Sequence, residues 1–142
     1  MKTTHTPNEQ HGYCQVTREG SVVFVIGSGT WNEETAQVVH DDIIRAAKEI
    51  CQGPWAMVME IDNWHLATPE AGGLIKACSE WCRANKLTHS AMVASGSQLK
   101  SNILSAMLAE LQSPGHQRKR FDTKADAMAW LAESGFINSQ HI

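Results

Sequence analysis

The sequence predicts an α/β domain with a mixed, mostly parallel sheet and elements in the order ββαβαβαβα. Three observations carry this. Residues 22–26, 56–62 and 89–94 are short, nearly continuous apolar runs, as strands buried on both faces of a sheet are. The stretches between them place apolar residues at helical spacing instead. Helix-starting residues stand before these stretches, most plainly Thr68-Pro69-Glu70. Strands that alternate with helices imply right-handed crossovers and a parallel arrangement.

The elements follow in order. Residues 1–10 are polar and are expected to form a flexible tail ahead of a single domain over 11–136. Residues 13–18 set Tyr13, Gln15 and Thr17 against Cys14, Val16 and Arg18, the alternation of a half-exposed strand. The turn Glu19-Gly20-Ser21 joins it to 22–26 as an antiparallel hairpin. Gly27-Ser28-Gly29 is expected to end that strand. Thr30 and Glu33 fit a capping box, with Asn32 a rival N-cap, for a helix carrying Ala36, Val39, Ile43, Ala47 and Ile50. Gly53-Pro54 stops it.

The central strand, 56–62, leads through an expected loop over 63–67 to the most legible helix. Thr68 offers its side-chain oxygen as N-cap, Pro69 loses nothing at the first position, and Glu70 faces the positive end of the dipole. Apolar residues then fall at 71, 74, 75, 78, 81 and 82. Beyond 89–94, Ser95-Gly96-Ser97 reads as a loop, and Leu99, Ile103, Leu104, Met107, Leu108 and Leu111 as an amphipathic helix broken by Ser113-Pro114-Gly115. A short basic strand is expected over 116–121. A last helix is expected from Thr123, with Asp126 three residues on and Gly135 as its C-cap, before a tail over 137–142.

Composition narrows the function classes. The 142 residues are 42% hydrophobic and 19% charged with a net charge of −3, the balance of a globular domain without general affinity for nucleic acid. No apolar run approaches the ~18 residues of a membrane span, and residues 1–10 lack the apolar stretch of a signal peptide. Cys14, Cys51, Cys78 and Cys82 form no CxxC pair and fall within predicted elements, as reduced thiols of a cytoplasmic protein do.

Parallel crossovers must bring the loops after the second, third and fourth strands, about 28–32, 63–70 and 94–98, to one end of the sheet. Trp31, Trp64 and His65 on two of them could line an apolar pocket or simply lid the sheet. Ser95 and Ser97 could present N–H groups to an anion or merely cap a helix. Gly27-Ser28-Gly29 is half a dinucleotide fingerprint, but Asn32 stands at the third glycine position. Cys78 and Cys82 share a helix face with Leu74, Ile75 and Trp81, which suits core better than zinc with His65 and His89. Glu60 and Asp62 are a weak acid/base pair at a strand end. Arg118-Lys119-Arg120 reads as edge-strand protection, or else as a surface for an acidic partner. No constellation asks for a cofactor or metal, and none is complete enough for an enzyme.

Gly29-x-x-Asn32-x-x-Thr35-Ala36 is similar to the G-x-x-D-x-x-T-A pattern of STAS domains, the anti-sigma-factor antagonist fold. Thr68-Pro69-Glu70-Ala71 ahead of Gly72-Gly73-Leu74-Ile75 resembles that family's D-S-S-G before a glycine-containing helix. Residues 127–131, AMAWL, resemble the closing helix of the SpoIIAA-like group of small bacterial proteins, which is also compared with the lipid-binding Sec14 (CRAL-TRIO) fold. The resemblance covers Tyr13 to Phe136. It implies a regulatory module, yet the phosphate-accepting serine is replaced by Glu70, with Thr68 for the aspartate and Ala71 for the glycine. A kinase-operated switch is therefore not expected, and Glu70 either imitates a phosphate or caps the helix.

The expected function is that of a non-catalytic cytoplasmic STAS-like module. It would bind a protein partner or small ligand at the carboxyl end of the sheet through Gly29, Trp31, Asn32, Trp64, His65, Thr68, Glu70, Ser95 and Ser97, with a homodimer possible. The alternative is a carrier or sensor of an apolar small molecule, as the Sec14 likeness implies; a Cys/His enzyme is the remote one.

Overall fold

The structure is a computed structural model describing residues 2–4, 12–94 and 115–136, with backbone only for 2–4 and 62–67. Its sheet has six strands in the order of the chain: β1 (Lys2–Thr4), β2 (Tyr13–Glu19), β3 (Val22–Trp31), β4 (Trp55–Ala67), β5 (Leu87–Val93) and β6 (Gln117–Phe121). The helices are α1 (Glu33–Ala47), α2 (Pro69–Ala84) and α3 (Lys124–Glu133). β1 to β3 are antiparallel, and β3 to β6 are parallel. Lys2–Thr4 pairs with β2, where the polar composition predicts only a fraying end. The predicted helix at 99–111, Ser95, Ser97 and the 137–142 tail lie outside the described residues.

Strand order that never reverses, with crossovers of one hand, sends α1 and α2 to the same face. Period-two alternation then divides the apolar runs between two cores. Val23, Val25, Trp55, Met57, Ile61 and Met92 pack with α1 and α2. Val22, Phe24, Ala56, Val58, Ala91 and Val93 pack with Ala127, Met128 and Leu131 of α3. In β5 a register shift opposite Trp55 and Ala56 lets Leu87 and Met92 serve the same core.

Side chains close the helix starts. Asn32, the rival cap, and not Thr30, accepts from Thr35 N at 3.0 Å. Thr68 accepts from Ala71 N at 3.2 Å, and Thr123 from Asp126 N at 3.1 Å. At the end of α3, Gly135 takes φ +93°, and Phe136 N and Gly135 N donate to Leu131 O and Ala132 O at 3.0 and 3.1 Å. This Schellman closure turns Phe136 back onto the α3 core.

Two predicted boundaries are wrong in the same way. β3 runs past Ile26 to Trp31, and β4 past Asp62 to Ala67, where the sequence reads as loop. The extensions pair with each other: Ser28 with Asn63, Gly29 with Trp64, Thr30 with Leu66 and Trp31 with Ala67, through two register shifts. The glycines that look like strand breakers are sites of close approach. A Cβ on Gly27 would stand 2.7 Å from the Trp31 ring, and one on Gly29, which has φ +72°, would stand 2.9 Å from Gly12 Cα.

Candidate functional site

The paired extensions bring two predicted site segments together. Thr68 N donates to Trp31 O at 2.9 Å, so the caps of α1 and α2 lie side by side. Gly29 and Trp64 are ladder neighbours, and His65 follows on β4. Glu33 and Glu34 occupy the first turn of α1, and exposed Glu70 that of α2. Two helix N-termini would attract an anion, but three carboxylates already complement them. Glu70 therefore sits where a helix dipole favours it.

Trp31 is not on a loop. It closes β3, is only 3% exposed, and donates its indole N–H to Tyr13 O at 3.1 Å. Its ring lies across Gly27 and forms one wall of a cavity between the sheet and the α1–α2 layer. Val39 and Ile43 of α1 and Ile75, Cys78 and Cys82 of α2 form the roof. Met57, Met59 and Met92 form much of the floor. The cavity holds about 60 Å³, several times the ~10–15 Å³ a single water needs on the same measure. Flexible methionines on one wall let such a space adapt its shape.

The chamber has a polar margin at β5 and β6, where Ser90 and Arg118 line it. These two are register partners. His116, two residues before Arg118 and so on the same face, has its Nε2 3.0 Å from Ser90 Oγ. Burial, then the charges of Arg118 and Arg83, pushes His116 down to about 4, so the ring is neutral at pH 7. Its Nδ1 is buried without a partner among the described residues. Burial and the nearby Arg83 guanidinium also lower Arg118, which nonetheless stays charged. Arg83 comes from the last turn of α2 and donates to Ser79 O at 3.4 Å.

His89 does not join Cys78 and Cys82 in a metal set, and the side chain of His65 lies outside the described residues. His89 stacks against Trp130 and Phe136 on the α3 face, across the sheet from Cys78 and Cys82. A hydrogen bond with Cys78, and then burial, raise Cys82; burial and the Asp42 charge push Cys14 up to about 12. Those two thiols stay protonated and weakly nucleophilic. All four cysteines are unpaired. Among the described residues no group of three or more His, Cys, Asp or Glu could hold a metal ion, and no helix is long and apolar enough to cross a membrane.

Sequence reasoning missed Arg83, Ser90 and His116 and read Arg118 as edge protection or else as part of a surface for an acidic partner, not as a chamber residue. A signal was present. His116, Arg118 and Arg120 recur at strand period, so one face of β6 is basic, and that face turns toward the α1–α2 layer.

No protein-family model matches the chain, and no curated protein is significantly similar to it. Among solved structures it is similar to the crystal structure of an uncharacterized DUF3478-family protein with a SpoIIAA-like fold from Shewanella loihica PV-4. The TM-score is 0.64 at 16% identity, over 89% of this chain and 98% of that one. The chain thus has a SpoIIAA-like fold, as the sequence motifs imply.

Proposed function

We propose that this chain is a non-catalytic binding module that takes a small, largely apolar molecule into the chamber between its sheet and the α1–α2 layer. The chamber itself carries this reading: apolar walls around empty space are an unsatisfied packing surface, and an apolar ligand gains there the dispersion contacts the protein lacks. Docking of a protein at the helix starts is the weaker reading, because the exposed residues there include Glu33, Glu34 and Glu70 and form no apolar patch. Unpaired thiols suit a reducing compartment, which supports a cytoplasmic place of work. Protonated Cys14 and Cys82 favour binding over covalent chemistry.

The test is calorimetric titration of the full chain with 1-octanol, repeated on Ile75→Trp, which fills the roof from a half-buried position. Saturable binding that weakens about tenfold or more in the variant is expected, since each buried methylene contributes ~0.8 kcal/mol. No saturable binding to the native chain, or equal binding to both proteins, would overturn the proposal.

A further inference from the structure

The arginines of this chain divide into two groups. Arg18, Arg45 and Arg120 each hold a carboxylate, from Glu49, Asp42 and Asp122 at 3.1, 2.8 and 3.0 Å. Arg83 and Arg118 hold none among the described residues, and these are the two that lie close enough to repel each other. Arg118 is half-buried and lines the apolar chamber, where an unpaired guanidinium is costly. Among the described residues the charges around it do not relieve it: His116 beside it is neutral and Arg83 is positive.

From this charge imbalance we infer that the chamber's ligand is an amphiphilic carboxylate, its apolar chain against Met57, Met59 and Met92 and its carboxylate on Arg118. Arg118 offers a planar fork that matches one carboxylate bidentately. Ser90 can complete the site. A neutral His116 with its proton on Nε2 donates to Ser90 Oγ and leaves Nδ1 as a buried acceptor, which is less costly than a buried orphan N–H. That tautomer frees the Ser90 hydroxyl to donate to the ligand. Arg83 adds positive potential at the same margin. The inference rests on the apolar-ligand reading above and names its head group.

Titration of the full chain at neutral pH with octanoate, 1-octanol and octyl phosphate separates the two levels. Octanoate is expected to bind about tenfold or more tightly than 1-octanol, as charge-assisted hydrogen bonds in a partly desolvated site require. Arg118→Met is expected to abolish that preference while 1-octanol still binds, which also shows that the variant is folded. Arg83→Gln is expected to reduce the preference by a smaller factor and gives a second variant should Arg118→Met fail to fold. Equal binding of octanoate and 1-octanol by the native chain would overturn the carboxylate assignment and leave the binding module standing. Octyl phosphate binding far more tightly than octanoate, or a preference indifferent to both arginine variants, would also overturn it. Binding of no probe at all would remove the apolar-ligand reading and this inference with it.

Discussion

The two ends of the α1–α2 layer solve opposite problems. At the helix starts, the described polar groups are answered locally: Asn32 and Thr68 cap, Thr68 N finds Trp31 O, and Glu33, Glu34 and Glu70 complement the dipoles. At the chamber, the account stays open. Apolar walls enclose space, Arg118 has no counter-charge among the described residues, and His116 Nδ1 has no partner there. The sequence motifs draw attention to the helix start. Here that position is satisfied, whereas among the described residues the chamber margin beside β6 holds a buried His116 Nδ1 without a partner and an Arg118 without a counter-charge. The difference teaches that a motif's location and a molecule's binding capacity can separate within one fold.

Trp31 belongs to both regions, and breaking it gives the largest effect. Trp31→Ala removes a buried ring packed on Gly27 and an indole bond to Tyr13 O, and is expected to cost ~3–5 kcal/mol in denaturant unfolding. Full stability in that variant would mean that the ring does not join the strand ends. Gly27→Ala presses a methyl to within 2.7 Å of the same ring and is expected to destabilise by ~1–3 kcal/mol. Thr68→Ala sharpens the contrast: a loss of ~1 kcal/mol in stability is expected, with 1-octanol affinity unchanged. A change in affinity larger than about threefold would tie the helix start to the chamber.

His116 supplies a pH test of the open region. Its folded value, about 4, lies below the ordinary 6.5, so the unfolded chain binds the extra proton first. Its contribution is present above pH 6.5 and is lost as pH falls toward 4. Because the ring is only half-buried, the loss is expected to be ~1 kcal/mol, well short of the full linkage value. His116→Gln should flatten that part of the stability profile, and an unchanged profile would contradict the burial of the ring. The smallest effect is expected at the satisfied end: Glu70→Gln should cost ~0.3–1 kcal/mol at low ionic strength and fade with salt.

Most of the fold was legible because its signals are local. The hairpin turn at Gly20, the caps at Thr68 and Thr123, the alternation of β2 and the nearly continuous apolar runs of β3 and β4 each act within a few residues. The strand ends were not legible, because Gly27, Ser28 and Gly29 look like a break until the Trp31 ring is known to lie against Gly27 and Gly12 against Gly29. The chamber was hidden for a related reason. Met57, Ile75 and Cys82 occupy ordinary core positions, and no periodicity distinguishes a filled core from a hollow one. Arg118 reads in the sequence as edge protection or a surface for an acidic partner, because the chamber it lines and the like charge of Arg83 reach it only through the fold.

The claim that a ligand occupies the chamber is tested most directly by methionine-methyl NMR during titration with 1-octanol. Met57, Met59 and Met92 floor the chamber, while Met128 lies in the opposite core across the sheet and serves as the internal control. Saturable shifts of the first three methyl signals with Met128 still are expected. Shifts at Met128 with the three chamber methyls unmoved would contradict the claim.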